Sequence, residues 1–280
     1  MTRRFVVIGH PIAHSLSPVM HGAAIAALGL DATYEARDVV PHELPSFVGE
    51  LRDGALAGAN VTIPHKVAIV SLCDRVDADA RAVGAVNTLS VEGSRVVGTN
   101  TDVVGLFTSL AAHHDALAGR HAVILGAGGA ARASVAVCER LGCASITIAA
   151  RDRDKALPLA DGRPSLCAIS LLDREPLAEA LARAALVIQA SSATMGLEAD
   201  AFVAALPLEA LAAHTVVTEL VYRPRRTALL AACEARGLIT IDGTEMLVQQ
   251  GAAALARWLG RSLDELPIEA MRVALHHALR

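Results

Sequence analysis

Two short strings stand apart in an apolar chain: Asn60-Val61-Thr62-Ile63-Pro64-His65-Lys66 and Gly98-Thr99-Asn100-Thr101-Asp102. One ends in a lysine and the other in an aspartate, and both are dense in hydroxyl and amide side chains. An ammonium and a carboxylate held together can pass a proton to or from an alcohol oxygen. Lys66 and Asp102 are therefore the candidate acid/base pair. Pro64 is expected to open a short helix carrying Lys66, and Asp102 is expected to cap a helix beginning at Val103 as well. His65 either tunes the lysine or faces solvent.

A third string supplies a partner for proton transfer. Gly126-Ala127-Gly128-Gly129-Ala130-Ala131 fits G-x-G-x-x-[G/A], the dinucleotide-binding turn. The apolar run Ala122–Leu125 precedes it and the Ala-rich stretch Ala130–Leu141 follows, which is the strand–turn–helix setting the motif requires. Gly126 permits the tight turn, Gly128 lets backbone approach a pyrophosphate, and Ala131 is small enough for close packing. The N–H groups at the helix start, around Gly129 and Ala130, then face phosphate. About twenty residues on, the next strand run ends in Ala150-Arg151-Asp152-Arg153-Asp154-Lys155. Arg151 and Lys155 favour the 2′-phosphate of NADP, whereas Asp152 suits the ribose of NAD, so NAD stays open. Arg153 and Asp154 read as a solvated turn.

The elements that must position these residues follow from composition. Of 280 residues 53% are hydrophobic but only 2% aromatic, so the core is built from Ala, Val, Leu and Ile. The net charge is −4, with no basic stripe, which argues against nucleic acid as a partner. Mean hydropathy is +0.44, yet no apolar run approaches the ~18 residues of a spanning helix, so no membrane role is expected. The first apolar run breaks after Ile8 at Gly9-His10-Pro11, too short for a signal peptide. The five cysteines form no C-x-x-C and read as small core residues of a reducing, cytoplasmic protein. The histidine pairs lack three convergent ligands, so no metal is expected.

Strands are expected at Arg4–Ile8, Tyr34–Val39, Gly58–Thr62, Asn87–Val91 and Arg95–Gly98, with helices from Ser17 (as N-cap) and over Pro41–Leu51. In the second half, strand runs at Ala122–Leu125, Ser145–Ala149, Ala185–Ile188, Thr215–Val217 and Ile239–Ile241 alternate with helical stretches. That cadence predicts an α/β fold: an N-terminal α/β unit followed by a Rossmann-like, doubly wound dinucleotide-binding domain. Gly251–Leu259 and Leu263–Leu279 read as two closing helices.

The ordered series SLSP (Ser15–Pro18), NVTIPHK, AVNT (Ala85–Thr88), GTNTD, GAGGAAR (Gly126–Arg132) and DGxxMLVxQ (Asp242–Gln250) resembles the shikimate dehydrogenase family over essentially the whole chain. The resemblance implies NADP-linked, reversible reduction of 3-dehydroshikimate to shikimate in aromatic amino acid biosynthesis. It implies two domains with the active site in the cleft between them: 1–102 completed by 246–280 for substrate, and 103–245 for NADP. Carried over by position, Ser15 and Ser17, with Tyr222, meet the substrate carboxylate. Thr62, Lys66, Asn87, Asp102 and Gln250 meet the ring hydroxyls, Lys66 and Asp102 are the catalytic pair, and Gly243 joins the cofactor residues.

Departures from the family pattern fall on the cofactor side. Ala150-Arg151-Asp152 replaces Asn-Arg-Thr, Gln189-Ala190-Ser191 replaces Asn-Ala-Thr, Glu219 stands where an aspartate is usual, and Glu245 takes the place of a glycine. The alternatives are an NAD-linked quinate/shikimate dehydrogenase and, in another class, a non-catalytic nucleotide-sensing regulator, which would not need Lys66 and Asp102. The expected partner is a small molecule, and the protein is expected to be a monomer or homodimer.

Overall fold

The run after Arg3 has no polar face, which suits a strand covered on both sides. It forms β1 (Arg3–Gly9), buried from Phe5 onward. The protein is described by a computed structural model covering residues 2–280. The chain divides into two units, one running through Gly105 and resuming at Leu247–Arg280, the other Leu106–Met246.

In the first unit β1 leads to α1 (Ser17–Ala27). Ser17 is the first helical residue and not the expected cap. Pro18 in the first turn lacks an N–H that would need a partner, and Ser15 Oγ, two residues upstream, accepts the Ser17 N–H at 3.3 Å. Next come β2 (Ala32–Asp38), α2 (Leu44–Arg52), β3 (Gly58–Val61), β4 (Arg75–Val76), α3 (Ala78–Val83), β5 (Thr88–Glu92) and β6 (Arg95–Thr99). The sheet order is β2-β1-β3-β5-β6-β4. β1 runs parallel to β2 and β3, whereas β5 runs antiparallel to β3 and β6. Phe47, Leu51, Ile69 and Leu89 fill the core with Ile8 and Val61.

The chain leaves through α4 (Asp102–Leu110), inside which the division between units falls. The second unit is α5 (His114–Leu117), β7 (His121–Leu125), α6 (Gly129–Arg140), β8 (Ser145–Ala150), α7 (Leu157–Ala160), β9 (Leu166–Ser170), α8 (Arg174–Arg183), β10 (Ala184–Gln189), α9 (Ala199–Ala205), β11 (Val216–Glu219), α10 (Ala228–Glu234) and β12 (Ile239–Ile241). Its sheet is parallel throughout, in the order β12-β11-β10-β7-β8-β9. That is the doubly wound order, with strand succession reversing between β7 and β10, the place where such sheets take ligands at their carboxyl ends.

The closing helices are α11 (Thr244–Leu259) and α12 (Ile268–Ala278). α11 begins at Thr244, well before the expected Gly251, because Asp242 accepts both the N–H (3.0 Å) and the hydroxyl of Thr244. Gly251 sits mid-helix because a Cβ there would stand 2.4 Å from Met20 Cε. Near the end of α11, Trp258 stacks on Phe5 with centroids 4.7 Å apart and donates from Nε1 to the Leu89 carbonyl at 2.9 Å. Among the described residues no helix is long and apolar enough to cross a membrane.

One local expectation changes. The cysteines are free, but only Cys138 and Cys233 are buried, and Cys167 is exposed on β9, whose side chains alternate in and out. α10 starts at Ala228, after Thr227, whose side chain accepts the Leu230 N–H.

Candidate active site

Lys66 lies in a turn and not on the helix expected after Pro64. The turn closes when the His65 N–H bonds to the Thr62 carbonyl at 2.9 Å, and helical geometry resumes only as a 3₁₀ segment at Ala68–Leu72. The solvent-facing reading of His65 does not hold: it is buried at 1% exposure, with Nε2 2.6 Å from the Val39 carbonyl, and so pins the turn from beneath. The Val86 N–H donates to the Lys66 carbonyl (2.8 Å), and the Val61 N–H donates to the Asn87 carbonyl (2.8 Å). These bonds bring the turn, the start of β5 and the end of β6 to one place.

There Lys66 Nζ donates to Asp102 Oδ2 at 2.6 Å. The side chains are only 14% and 4% exposed, so the pair is largely withdrawn from water. Asp102 is the first residue of α4 and not its cap. Its N–H is taken by Asn100 Oδ1 (3.1 Å), which leaves its carboxylate for Lys66 and Asn87. Asn87 Nδ2 reaches Asp102 Oδ1 at 2.8 Å and Gln250 Oε1 at 3.4 Å. The orientation of that amide is fixed, because Asn87 Oδ1 accepts the backbone N–H of Thr101 at 2.7 Å.

Behind Asn87 lies a layer that sequence reasoning did not assign. Tyr34 donates to Asn60 Oδ1 (2.7 Å), Asn60 Nδ2 donates to Thr88 Oγ1 (3.1 Å), and Thr88 Oγ1 donates to Asn87 Oδ1 (2.9 Å). All four are buried. A satisfied buried network of this kind rigidifies the groups at its end, here Asn87 and Asp102. An asparagine inside the otherwise apolar run Gly58–Val61 was the available signal for it. Ser15, Ser17 and Thr62 also belong to this unit, with Ser17 buried and the other two half-buried. Tyr222, Gly126, Ala127, Gly128, Gly129, Ala130, Arg151, Lys155 and Gly243 belong to the second.

In the second unit Gly126 has φ +125°, and a Cβ there would meet the Ala190 carbonyl at 3.1 Å. Gly128 caps α6 without any side-chain bond, and the space a Cβ would fill is open. The turn therefore presents bare backbone N–H groups at a helix start to a free volume, the arrangement that takes a pyrophosphate. After β8, Arg151 is exposed. Asp152 Oδ1 accepts the Asp154 N–H (3.1 Å), and Oδ2 lies 3.6 Å from Lys155 Nζ. The acid is thus engaged in a turn and partly balanced. Arg153 is not simply solvated: its Nε donates to the Ala168 carbonyl at 3.1 Å.

At the carboxyl end of β11, Glu219 is wholly buried. Burial pushes its carboxyl up to about 7 against the pull of several hydrogen bonds. In the first unit His21 is buried, with neither ring nitrogen hydrogen-bonded, and burial lowers it to about 3.

Comparison with known proteins agrees with this geometry. A curated shikimate dehydrogenase (NADP(+)) from Symbiobacterium thermophilum is 43% identical over 98% of this chain and 93% of its own length. The chain belongs to the shikimate dehydrogenase family. The family's substrate-binding domain profile, described as the shikimate dehydrogenase substrate binding domain, matches residues 7–89, a span that includes the Lys66 turn and Asn87. Two solved members of the shikimate dehydrogenase family superpose closely. The enzyme from Aquifex aeolicus has a TM-score of 0.87 at 30% identity, covering 98% of this chain and 97% of that one. The Thermus thermophilus enzyme, solved in complex with NADP(H) and shikimate, has a TM-score of 0.83 at 35% identity, covering 99% and 100%.

Proposed function

We propose that this protein interconverts 3-dehydroshikimate and shikimate with NADP, in the biosynthesis of aromatic amino acids, using Lys66 and Asp102 as its acid/base pair. The observation that carries this reading is the buried Lys66–Asp102 contact at 2.6 Å, with Asn87 on Asp102 and Gln250 beside Asn87. The near full-length relationship to shikimate dehydrogenases (NADP(+)) supports it.

Gly126, Ala127, Gly128, Gly129 and Ala130 would hold the cofactor's pyrophosphate, Arg151 and Lys155 its 2′-phosphate, and Gly243 its nicotinamide end. Once bound, NADP supplies or accepts the hydride. As the ketone is reduced, negative charge builds on its oxygen, and the Lys66 ammonium gives that oxygen a proton. An ammonium has three N–H directions, and Asp102 takes one of Lys66's, which leaves two for substrate oxygens. Asp102 keeps the ammonium aimed and, in the oxidising direction, favours return of the proton to Lys66. Asn87 and Gln250 supply amide groups suited to ring hydroxyls, and a site built this way rejects analogues that lack them. Ser15, Ser17 and Tyr222 would meet the carboxylate. The five free cysteines suit a reducing compartment, and the cytoplasm is the proposed location.

NADP is the preferred cofactor in this reading because Asp152 is tied to its own turn and to Lys155. Initial rates with shikimate and quinate, each against NADP and NAD, test it. Shikimate with NADP should give the highest kcat/KM. Faster turnover of quinate with NAD would replace it with the quinate/shikimate alternative, and no turnover of any pair would favour the regulator.

A further inference from the structure

Glu219 takes no part in the chemistry above, yet it is a carboxyl at 0% exposure at the ligand-facing end of the parallel sheet. Its bonds fall on the two ends of one segment. Oε1 accepts the Val221 N–H at 3.0 Å, and Oε2 accepts the Thr227 hydroxyl at 3.2 Å. Thr227 in turn caps α10 through the Leu230 N–H at 3.3 Å. The Thr194 hydroxyl also faces the carboxyl, whereas the Leu220 N–H is held by the Gln189 carbonyl of the neighbouring strand at 3.1 Å. The segment clasped in this way, Leu220–Arg226, carries Tyr222. Its carbonyls form the seat of the next turn: a Cβ on Gly243 would stand 2.8 Å from both the Leu220 and Val221 oxygens. Thus one buried side chain holds a loop and, through that loop, the Asp242-Gly243-Thr244 turn at the start of α11.

We propose that Glu219 is a positioning residue: by clasping Leu220–Thr227 it places Tyr222 and the Gly243 turn, and so sets how tightly substrate is held without touching the transferred atoms. This rests on the reading above that Tyr222 meets the substrate. The ionised carboxylate accepts from both the Val221 N–H and the Thr227 hydroxyl. The protonated acid must turn one oxygen into a donor, and the backbone N–H groups and hydroxyls that face it then lose an acceptor. With burial raising the group to about 7, both forms are present near neutrality. Burial and hydrogen bonds alone account for that shift. Of the charged side chains on the flanking segments, Arg223 is exposed, Arg225 is paired with Asp242 and Arg226 with Glu234.

The test uses the full chain and the Glu219→Gln and Glu219→Asp variants. Without ligand, hydrogen exchange at Val221, corrected for intrinsic pH dependence, should speed about three- to tenfold in the parent as pH falls from about 8 to about 6, while Leu220, bonded to the Gln189 carbonyl, serves as the internal control. E219Q should show the fast value throughout, and E219D should keep the pH dependence. In initial rates with NADP saturating, the shikimate KM of E219Q should exceed the parent's about three- to tenfold near pH 8 and match it near pH 6, with kcat little changed. Equal protection in parent and E219Q near pH 8 overturns the proposal, as does a KM ratio that ignores pH or a loss confined to kcat. If E219Q does not fold, a parent exchange profile without an inflection near pH 7 overturns it instead. If no form turns over shikimate, the proposed function fails while the exchange data still decide the role of Glu219.

Discussion

The Lys66 ammonium is aimed by one bond to Asp102, and Asp102 is aimed by Asn87, whose own amide is locked by the Thr101 N–H. Removing the lysine deletes the proton donor and leaves this scaffold standing. Lys66→Ala should therefore lower turnover of 3-dehydroshikimate by ~10²-fold or more. The Michaelis constant should change far less than turnover, because Thr62, Asn87 and Gln250 remain to bind the substrate although Lys66's own contacts are lost. Initial rates of the purified variant measure both, and unchanged turnover would remove Lys66 from the reaction. At this scale the pair was legible because hydroxyl and amide residues are concentrated around it in an otherwise apolar chain. Asn60 and Thr88 were not, since only strand pairing between β3 and β5 sets Asn60 against Thr88. His65 was open for the same reason: its partner, the Val39 carbonyl, is 26 positions away.

Among the elements, periodicity and turn chemistry located most strands and the Gly126 turn, and they failed where long-range contacts decide. Lys66 sits in a turn because the Thr62–His65 bond closes before a helix can start. The start of α11 was hidden behind Gly251, which reads as a helix breaker and is in fact a packing site. Two crowded glycines of the first unit give a paired prediction. A Cβ at Gly58 would stand 2.4 Å from Trp258 Nε1 on a rigid indole, itself stacked on Phe5 and bonded to Leu89. A Cβ at Gly251 would stand equally close to Met20 Cε, the free end of a flexible chain. Gly58→Ala should therefore destabilise by about 1–3 kcal/mol, the usual range for overpacking a tight core. Gly251→Ala should lose less, because methionine adapts its shape and alanine favours helix over glycine. Urea unfolding of both variants makes the comparison. Equal losses would mean that α1 is as rigid at Met20 as the indole is at Trp258.

At the scale of the whole molecule, His21 in the first unit and Glu219 in the second are displaced chiefly by burial, and the two displacements act in opposite directions on stability. His21, in the first unit, is lowered from 6.5 to about 3. Between those values the unfolded chain binds the proton and the folded one does not, so this contribution is intact above about 6.5 and is lost as pH falls toward 3. Glu219, in the second unit, is raised from 4.5 to about 7. There the folded form binds the proton more tightly, so its contribution is intact below about 4.5 and is lost as pH rises through 7. At 1.36 kcal/mol per pKa unit, each effect is on the order of a few kcal/mol. Acid should therefore weaken the first unit, whereas a rise from about pH 4.5 to about 7 should weaken the second. The chain's single tryptophan, Trp258, lies in the first unit and reports it separately, while far-ultraviolet circular dichroism reports both. From about pH 7 to about pH 5 the urea midpoint seen by Trp258 fluorescence should fall, and His21→Phe should remove most of that fall. From about pH 4.5 to about pH 7 the dichroism midpoint of the second unit should fall, and Glu219→Gln should flatten that fall. A His21→Phe protein that keeps the full acid shift would place its source in another group. A Glu219→Gln protein that keeps the fall between about pH 4.5 and 7 would show that the ionised carboxylate is held without penalty, so that the clasp it forms offsets its burial.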